Sequence, residues 1–254
     1  MYLEKLFGLK GKVAVVTGGG RGIGQTVACG LAKAGAEVAI LCRSEASKTI
    51  EMIEKEGGSA YWISTDVTKE SQVENAFSEI MKQSGSIDVV FNNAGICKHR
   101  DTFDTSMSDF QEVMDVNVTG PFNVARIAAK MMVDKGIAGN IVNMASMSGY
   151  IVNIPQAQCS YNTSKAAVRH MTKSLAVEWA QKNIRVNSIS PGYVSTPMAS
   201  DTPQELRDVW TDIIPMKRFA DPKELMTAIL YLVSDASSYT TGSDVVVDGA
   251  YTCI

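Results

Sequence analysis

The amino-acid sequence predicts an α/β protein built on one doubly wound parallel sheet, with helices on both faces. From residue 12 to about 144, short runs rich in β-branched residues alternate with longer helical patterns. The short runs are almost continuously apolar, which is typical of parallel strands buried on both faces. A glycine-rich turn joins the first run to the first long helical pattern. These observations together predict repeated βαβ units.

The elements follow one another in strict order. The predicted strands are KVAVVT (12–17), EVAIL (37–41), SAYWIS (59–64), IDVVF (87–91), NIVNM (140–144), IRVNSIS (184–190) and DVVVDG (244–249). Between the third and fourth, Val73, Ala76, Phe77 and Ile80 recur at helical spacing before a glycine, Gly85. Further helices are predicted at about 161–182 and 222–234. Right-handed crossovers between such strands leave a ligand crevice at their carboxyl ends.

No proline- or serine-rich linker, repeat or low-complexity tract divides the chain, so residues 1–254 are predicted to form a single domain. The least regular stretch is about 193–220, which contains Pro197, Pro203 and Pro215. Long irregular segments inside a compact domain are typical of lids and substrate loops. We therefore predict a substrate loop or lid there.

Composition excludes several classes of partner. The net charge is −3, from 24 basic and 27 acidic residues without a run of like charge, so nucleic acid is not expected. No apolar run approaches the ~18 residues of a membrane span, and the first residues lack the apolar core of a signal peptide. The five cysteines are scattered, and His99 and His170 lie far apart. We expect a cytoplasmic protein with no membrane partner, no metal site and no Ser-His-Asp triad.

The turn TGGGRGIG, residues 17–24, predicts a nucleotide site. Glycines at Gly18, Gly22 and Gly24 let a ligand approach the backbone, and the helix beginning near Ile23 offers free N–H groups to a phosphate. The spacing departs from strict GxGxxG, and a tight connection is the alternative. The position between first strand and first helix favours the nucleotide.

The end of the second strand indicates which dinucleotide binds. Cys42 stands where a cofactor without a 2′-phosphate usually meets an acid, and Arg43 and Ser44 follow. With Arg21 in the glycine turn, two guanidinium groups are available for one phosphate, which favours NADP(H). In the alternative, Arg43 is merely solvated and Glu45 is the acid that binds the ribose.

These motifs, in this order and spacing, resemble the short-chain dehydrogenase/reductase family along nearly the whole chain, with its Rossmann-type fold. TGGGRGIG is similar to the family's TGxxxGxG, and DVT (66–68) to its adenine-pocket motif. The remaining matches are NNAG (92–95), NVTG (117–120), SMSG (146–149), YNTSK (161–165) and PG (191–192).

The resemblance implies four catalytic residues. Tyr161 would be the general acid in carbonyl reduction and the base in alcohol oxidation. Ser146 would hold the substrate oxygen, and Asn117 would position a water that links Lys165 to solvent. Lys165 would also bind the nicotinamide ribose. One helical turn from the phenol, its charge is expected to lower the pKa of Tyr161 from about 10 towards neutrality.

The resemblance also implies a set of cofactor-binding positions. Asp66 and Val67 would meet the adenine, although Asp66 alone could be a residue of a helix N-cap region. Thr196 would meet the nicotinamide carboxamide. The full set is Gly18, Arg21, Gly22, Ile23, Gly24, Arg43, Ser44, Asp66, Val67, Asn93, Ala94, Gly95, Tyr161, Lys165, Pro191, Gly192, Val194 and Thr196.

For the substrate, stretches such as NIPQAQCSYNTSKAAV, LAVEWA and ISPGYVSTPM look like the polyol and ketose branch of the family. That branch includes NADP-dependent mannitol dehydrogenases, sorbose and L-xylulose reductases and arabinitol dehydrogenases. We therefore expect a small carbonyl or alcohol substrate, a ketose or polyol. Four polar residues could contact a sugar or could equally be solvated loop: Ser148, Asn153, Gln156 and Gln158.

Two other functions stay open at this stage. The substrate would be a 3-oxoacyl thioester, a steroid or another apolar ketone if the pocket is lined by Ile151, Ile154, Trp210 and Met198. A non-catalytic NADPH-binding regulatory protein is disfavoured, because the tyrosine, lysine and serine are all present.

The resemblance further implies a homotetramer, with helices around 110–134 and 161–182 packed against other copies. Buried core helices would look the same. Cys159, two residues before the tyrosine, could line the pocket or simply pack.

Overall fold

The computed structural model of the protein describes residues 2–197 and 202–254. Seven strands form one parallel sheet in the order β3-β2-β1-β4-β5-β6-β7. Their bounds are β1 Val13–Thr17, β2 Glu37–Cys42, β3 Ser59–Ser64, β4 Val89–Asn92, β5 Gly139–Met144, β6 Ile184–Pro191 and β7 Asp244–Val247. The predicted doubly wound α/β fold is confirmed, and the strand order reverses between β1 and β4, where such sheets bind ligands.

The helices cover both faces of the sheet. They are α1 Tyr2–Phe7, α2 Gly22–Lys33, α3 Ser47–Lys55, α4 Glu70–Ser84, α5 Met107–Met114, α6 Gly120–Asp134, α7 Cys159–Trp179, α8 Gln204–Ile213 and α9 Met226–Val233. Helices α4, α6 and α7 bury one face of the sheet, and α2, α3 and α9 bury the other. In the part of the chain that the structure describes, no helix is long and apolar enough to cross a membrane.

The alternation of side chains along each strand explains the continuous apolar runs. Val15 belongs to the core under α4, α6 and α7, whereas its neighbour Val16 belongs to the core under α2, α3 and α9. Leu41 and Ile40 on β2 divide in the same way. Because both faces of the central strands are buried, apolar residues are favoured at consecutive positions along them.

Some helix predictions need correction. The helix expected over about 161–182 ends at Trp179 and continues as a 3-10 turn, Ala180–Lys182. The one expected at about 222–234 begins as a 3-10 turn, Pro222–Leu225, capped by the Asp221 side chain. The helix expected around 110–134 is divided by a π-helical turn, Asp115–Thr119.

The predicted loop or lid at about 193–220 is more regular than expected. Val194 forms an isolated parallel bridge with Ala220, which brings the two ends of the segment together. Helix α8 lies between them and buries Trp210. Its role as a lid stays a prediction.

Candidate active site

Tyr161 and Lys165 lie on the first turns of α7, beside the carboxyl end of β5. The Lys165 ammonium is buried and donates a hydrogen bond to the Met144 carbonyl oxygen over 2.8 Å. Its Nζ lies 5.5 Å from the centre of the Tyr161 ring. The structure therefore brings Tyr161 and Lys165 together, as their spacing in YNTSK predicted. The lysine side chain is held by the carbonyl of Met144, the last residue of β5.

Ser146 is held at the same edge of the sheet. It begins a 3-10 turn, Met147–Gly149, and its Oγ accepts a hydrogen bond from the Ser148 backbone N–H over 3.1 Å. The Ser146 hydroxyl also lies close enough to the Tyr161 phenol to act on its pKa, which it lowers. The three predicted catalytic side chains are thus adjacent.

The expected low pKa of Tyr161 is wrong for the protein alone. Burial raises the pKa of the phenol well above its usual value, the nearby Cys97 raises it further, and the Ser146 hydroxyl only partly offsets this. Lys165 does not reverse the effect, because the same burial disfavours the charged form of both residues. Tyr161 is consequently a protonated acid at neutral pH.

Burial also acts on the two neighbours of the phenol. It lowers the pKa of Lys165 to about 8, and a contribution from Cys97 acts in the opposite direction. It raises the pKa of Cys97 to about 12, so that this thiol stays protonated despite the lysine. Cys97 is a site residue that the sequence analysis missed. A lone cysteine after NNAG carries no distinguishing pattern.

Asn117 occupies the π-helical turn between α5 and α6, a geometry frequent at functional sites. Its Oδ1 accepts a hydrogen bond from the Ile96 N–H over 2.8 Å. Its Nδ2 donates to the Ile96 carbonyl (2.9 Å) and to Ser164 Oγ (3.0 Å). A Cβ on Gly95 would lie 3.2 Å from Asn117 Oδ1 and 3.8 Å from Lys165 Nζ. Asn117 is therefore close to the lysine, and its water-holding role stays a prediction.

The glycine turn is shaped by contacts that side chains would block. Gly18 and Gly22 have φ values of 67° and 56°, in the left-handed region that favours glycine. A Cβ on Gly24 would lie 2.3 Å from the Gly18 carbonyl oxygen. Ile23 is half-buried and packs against the core under α2, α3 and α9. The turn leads directly into α2, so its N–H groups face the crevice, as a phosphate site requires.

Asn93 and Ala94 tie this turn to β4. The hydroxyl of Thr17 accepts hydrogen bonds from the backbone N–H groups of Asn93 (2.9 Å) and Ala94 (3.0 Å). The Asn93 amide donates to the carbonyls of Thr17 (3.1 Å) and Gly18 (3.2 Å). The Asn93 side-chain amide therefore joins the carboxyl ends of β1 and β4. The predicted contact of Asn93 with the cofactor would have to involve other atoms of the residue, and it stays a prediction.

Arg21 and Arg43 are both exposed at the crevice. Within residues 2–197 and 202–254, neither guanidinium group makes a hydrogen bond or ion pair to the protein, although the Arg21 backbone carbonyl accepts the Gln25 N–H over 3.2 Å. Gly20 brings the turn to the end of β2, since a Cβ there would lie 3.6 Å from Cys42 Sγ. Ser44 is exposed and its carbonyl accepts the Cys42 thiol. Two free guanidinium groups therefore border the place expected for a 2′-phosphate.

Glu45 and Asp66 are less available to a ligand. Glu45 accepts a hydrogen bond from the Ser47 hydroxyl at the start of α3. Asp66 Oδ1 accepts from the N–H (3.0 Å) and hydroxyl (2.8 Å) of Thr68. Partial burial would raise the pKa of Asp66, but the Thr68 hydrogen bonds and the charge of Arg43 outweigh it and lower that pKa. Asp66 Oδ1 is thus bound within the turn before α4, whose N-cap residue is Lys69. The contact of Asp66 with the adenine stays a prediction.

The remaining predicted positions line the other side of the turn. Val67 is buried against the site of Gly120, where a Cβ would lie 2.7 Å from Val67 Cγ2. Gly192, after Pro191 at the end of β6, packs so closely on Asp248 that a Cβ would lie 2.8 Å from its Cα. Thr196 lies over the glycine turn, 3.8 Å from a Cβ placed on Gly22. Val194 is buried beside it.

The four polar residues before Tyr161 are not a solvated loop. Ser148, Asn153 and Gln158 are buried, and the Ser148 hydroxyl donates to Asn153 Oδ1 over 2.6 Å. Gln158 Nε2 lies 3.3 Å from Ser148 Oγ and 3.1 Å from Asn153 Oδ1. Gln156 Nε2 donates to the Tyr193 hydroxyl over 3.1 Å. This polar network begins at Ser146, whose hydroxyl lies 3.1 Å from that of Ser148.

An aromatic wall completes the same region. Tyr193 stacks on Trp210 with ring centres 4.5 Å apart, and Trp210 Nε1 donates to Gln156 Oε1 over 2.8 Å. The exposed His99 meets Trp210 edge-on, with ring centres 6.3 Å apart. Tyr193 was missed because PGY signals only a turn.

Three of the four residues that would form an apolar lining for a steroid or thioester are described by the structure, and their surroundings differ. Ile151 packs into a small core with Met147, Ile214 and Tyr251, and Ile154 is 61% exposed. Trp210 is buried, with its polar edge bound to Gln156. Met198 lies outside the described residues.

Two further expectations concern histidine and cysteine. His170 is exposed on α7, as expected of an ordinary helix residue, and Cys159 is exposed rather than packed. Among the residues that the structure describes, no group of three histidine, cysteine or acidic residues could hold a metal ion.

Comparisons with known proteins agree with this geometry. A family model described as enoyl-(acyl carrier protein) reductase matches residues 18–252. The sorbose reductase of Candida albicans is 43% identical, covering 98% of this chain and 89% of that protein. An NADP-dependent mannitol dehydrogenase of Alternaria alternata is 42% identical, covering 98% and 95%. The crystal structure of a short-chain type dehydrogenase/reductase from Mycobacterium marinum superposes with a TM-score of 0.94 at 44% identity, covering both chains completely.

Proposed function

The chain belongs to the short-chain dehydrogenase/reductase family, and on that premise we propose that it is an NADP(H)-dependent oxidoreductase of sugars. It reduces a ketose, or oxidises the corresponding polyol, with Tyr161 as general acid or base. The observation that carries the proposal is the adjacency of Tyr161, Lys165 and Ser146 to a buried polar network.

The residues around the glycine turn fit NADP(H). Gly18, Gly22 and Gly24 leave a cradle that side chains would fill, and the exposed Arg21 and Arg43 suit a 2′-phosphate. The mannitol dehydrogenase relative is NADP-dependent by name. When bound, NADP(H) supplies or accepts the hydride at the nicotinamide.

The residues of the chain then supply orientation and proton transfer. Ser146 donates a hydrogen bond to the carbonyl oxygen of the substrate, and Tyr161 gives its proton to the same oxygen as the alcohol forms. The raised pKa of Tyr161 keeps the phenol protonated beforehand. The Lys165 ammonium favours the phenolate left behind, and Asn117 lies close enough to Lys165 to hold a water for proton replacement.

The polar network supports a sugar as the class of substrate. Hydroxyl and amide groups beside Ser146 can exchange hydrogen bonds with the hydroxyl groups of a sugar, whereas an apolar substrate offers them no partner. The relatives named as a sorbose reductase and a mannitol dehydrogenase act, by those names, on a ketose and a polyol. A polyhydroxylated substrate is therefore the one that this loop accepts.

We also propose the homotetramer that the resemblance implies. Phe122 and Val133 on α6 and Val177 on α7 are exposed apolar residues, with 40%, 42% and 81% of their surface accessible. Burial of such residues against other copies removes apolar surface from water.

A small substrate panel tests the function. NADPH absorbance would be followed with fructose, sorbose, xylulose, ribulose, an acetoacetyl thioester and a steroid ketone, each repeated with NADH. We expect rapid oxidation of NADPH with at least one ketose and much slower oxidation of NADH. Turnover of only the thioester or steroid would refute the sugar assignment, and a preference for NADH would refute the roles of Arg21 and Arg43.

The pH dependence of kcat/KM for ketose reduction should follow the titration of the Lys165 ammonium. Its pKa is lowered to about 8 by burial, so the ammonium is present below that pH and lost above it. We expect kcat/KM for ketose reduction to be level near neutrality and to fall as the pH passes about 8, because the phenolate then loses its stabilising charge.

The matched control for this profile is Cys97→Ser. The pKa of the Cys97 thiol is about 12, so the thiol does not titrate in this range and the fall should persist in the variant. A profile that stays level into strongly alkaline buffer would contradict the role of Lys165.

A further inference from the structure

A buried ion pair lies directly behind the catalytic residues. Asp244, the first residue of β7, has a side chain that is only 6% exposed, and Arg169 on α7 lies 3.0 Å from it through Nε. Arg169 follows Tyr161 and Lys165 at successive intervals of four residues, so all three lie on one side of the helix. None of the motifs of the sequence analysis includes either residue.

The Asp244 carboxylate is completely satisfied by donors. Its Oδ2 accepts from Arg169 Nε, from the Tyr150 hydroxyl (2.7 Å) and from Ser190 Oγ (2.8 Å). Its Oδ1 accepts from Ser188 Oγ over 2.7 Å. A carboxylate with its acceptor sites filled from several directions has one orientation, so it fixes the guanidinium as well.

In this orientation, the Arg169 guanidinium contacts the turn that begins at Ser146. Its Nη1 donates to the Gly149 carbonyl oxygen over 2.6 Å, and its Cζ lies 3.1 Å from the centre of the Tyr150 ring. Gly149 packs directly on α7, because a Cβ there would lie 2.9 Å from the Lys165 carbonyl oxygen. The Gly149 N–H in turn donates to the Ser146 carbonyl over 2.9 Å.

We propose that Arg169, Asp244 and Tyr150 form a positioning clamp that sets the Ser146 hydroxyl against the Tyr161 phenol. The clamp joins the turn after β5, helix α7 and strand β7, and it contacts no reacting atom. The proposal rests on the proposed function in one respect only, that Ser146 and Tyr161 act on the same carbonyl oxygen.

Arg169→Ala and Arg169→Lys test the clamp. Lysine keeps the charge but cannot contact Asp244, Gly149 and the Tyr150 ring together. We expect kcat for reduction to fall by between about ten- and a hundredfold in both variants, because small displacements of catalytic groups have effects of that size. NADPH affinity, measured by its fluorescence, should be unchanged.

A pH profile separates positioning from simple loss of structure. Tyr161 is faced by Lys165 on its own helix, by Cys97 after β4 and by Ser146 after β5. Weakening the contact between Ser146 and Tyr161 should shift the alcohol-oxidation profile to higher pH. The shift should appear in the charge-retaining Arg169→Lys as well. If the role of Arg169 were purely structural, the pH profile of the variant would match that of the wild type.

Arg185→Lys is the matched control. Arg185 is also partly buried and donates to the carbonyls of Leu232, Ser234 and Thr240. It pairs with Asn140 near the amino end of β5, whereas Ser146 follows the carboxyl end of that strand. It should lower the thermal midpoint without changing kcat per folded molecule. An equal fall of kcat in Arg185→Lys and Arg169→Lys, or no fall in the latter, would overturn the clamp.

Tyr150→Leu covers the case in which an Arg169 variant does not fold. Tyr150 is 43% exposed, so its loss leaves the core intact, yet it removes both the ring against the guanidinium and one donor to Asp244. We expect a lower kcat at an unchanged thermal midpoint, and an unchanged kcat would contradict the proposal.

The kcat of the wild type and of all these variants is measured with two substrates, D-fructose and the activated diketone 2,3-butanedione. If the wild type reduces only the diketone, the sugar assignment is wrong, and the clamp is still tested by the variants with that substrate.

Discussion

Tyr161→Phe should reduce turnover by a factor on the order of 10²–10⁴, the contribution typical of a positioned general acid. Phenylalanine keeps the ring beside Lys165 and removes only the O–H group that, on the proposed mechanism, donates to the carbonyl oxygen of the substrate. The Lys165 hydrogen bond to the Met144 carbonyl does not involve the phenol, so the ribose-binding position of the lysine should survive. Steady-state kinetics with a ketose and NADPH, together with NADPH binding by fluorescence, measure the two effects separately.

Tyr61→Phe is the matched control for that experiment. The Tyr61 hydroxyl is also partly buried and bonds to Ser84 Oγ over 2.8 Å, but it lies on the edge strand β3. Its loss should leave kcat unchanged at a small cost in stability. Persistent turnover in Tyr161→Phe would mean that another group donates the proton. The nearest alternative is Lys165, whose pKa of about 8 would allow it.

Much of the fold could be predicted because the signals are local and repeated. Strand positions such as Val15 and Val16 face opposite cores, and buried parallel strands need apolar residues at every position. The grouping of the proposed catalytic residues could also be predicted, since Tyr161 and Lys165 are separated by one helical turn. Their neighbour Ser146 follows directly on β5.

The pKa of Tyr161 could not be predicted from spacing. A lysine one turn away indicates an attractive charge, but the burial of both groups is a property of the assembled fold and acts in the opposite direction. The π-helical turn at Asn117 was missed for a similar reason, since Gly120 and Pro121 indicate a helix boundary but carry no signal for a π-helical turn. Its geometry comes from the contacts of the Asn117 side chain with Ile96 and Ser164.

The polar network and the clamp were hidden because they join distant segments. Gln156 meets Tyr193 and Trp210, which lie 37 and 54 residues further along the chain. Arg169 meets Asp244 over a separation of 75 residues. Each of these residues is unremarkable among its neighbours, so only the sheet order that brings β5, β6 and β7 together shows what it does.

Among the glycines of the nucleotide turn, two show opposite requirements. A Cβ on Gly24 would lie 2.3 Å from the Gly18 carbonyl oxygen and 2.5 Å from the Asn93 amide nitrogen. Both atoms belong to the link between β1 and β4, and neither is the free end of a flexible side chain. A Cβ on Gly20 would meet only Cys42 Sγ at 3.6 Å and the Ala46 Cβ at 3.9 Å, which are ordinary contacts.

Gly24→Ala should therefore push the turn away from β4, lower the free energy of unfolding by about 1–3 kcal/mol or more, and abolish measurable NADPH binding. The methyl group forces Gly18 and Asn93 apart, which moves the N–H groups that would hold the phosphates. Gly20→Ala should change stability by no more than about 0.5 kcal/mol and keep NADPH affinity. Urea unfolding and NADPH fluorescence titration measure both effects. Equal behaviour of the two variants would show that close packing at Gly24 does not shape the cofactor site, because the added methyl group is the same and only its surroundings differ.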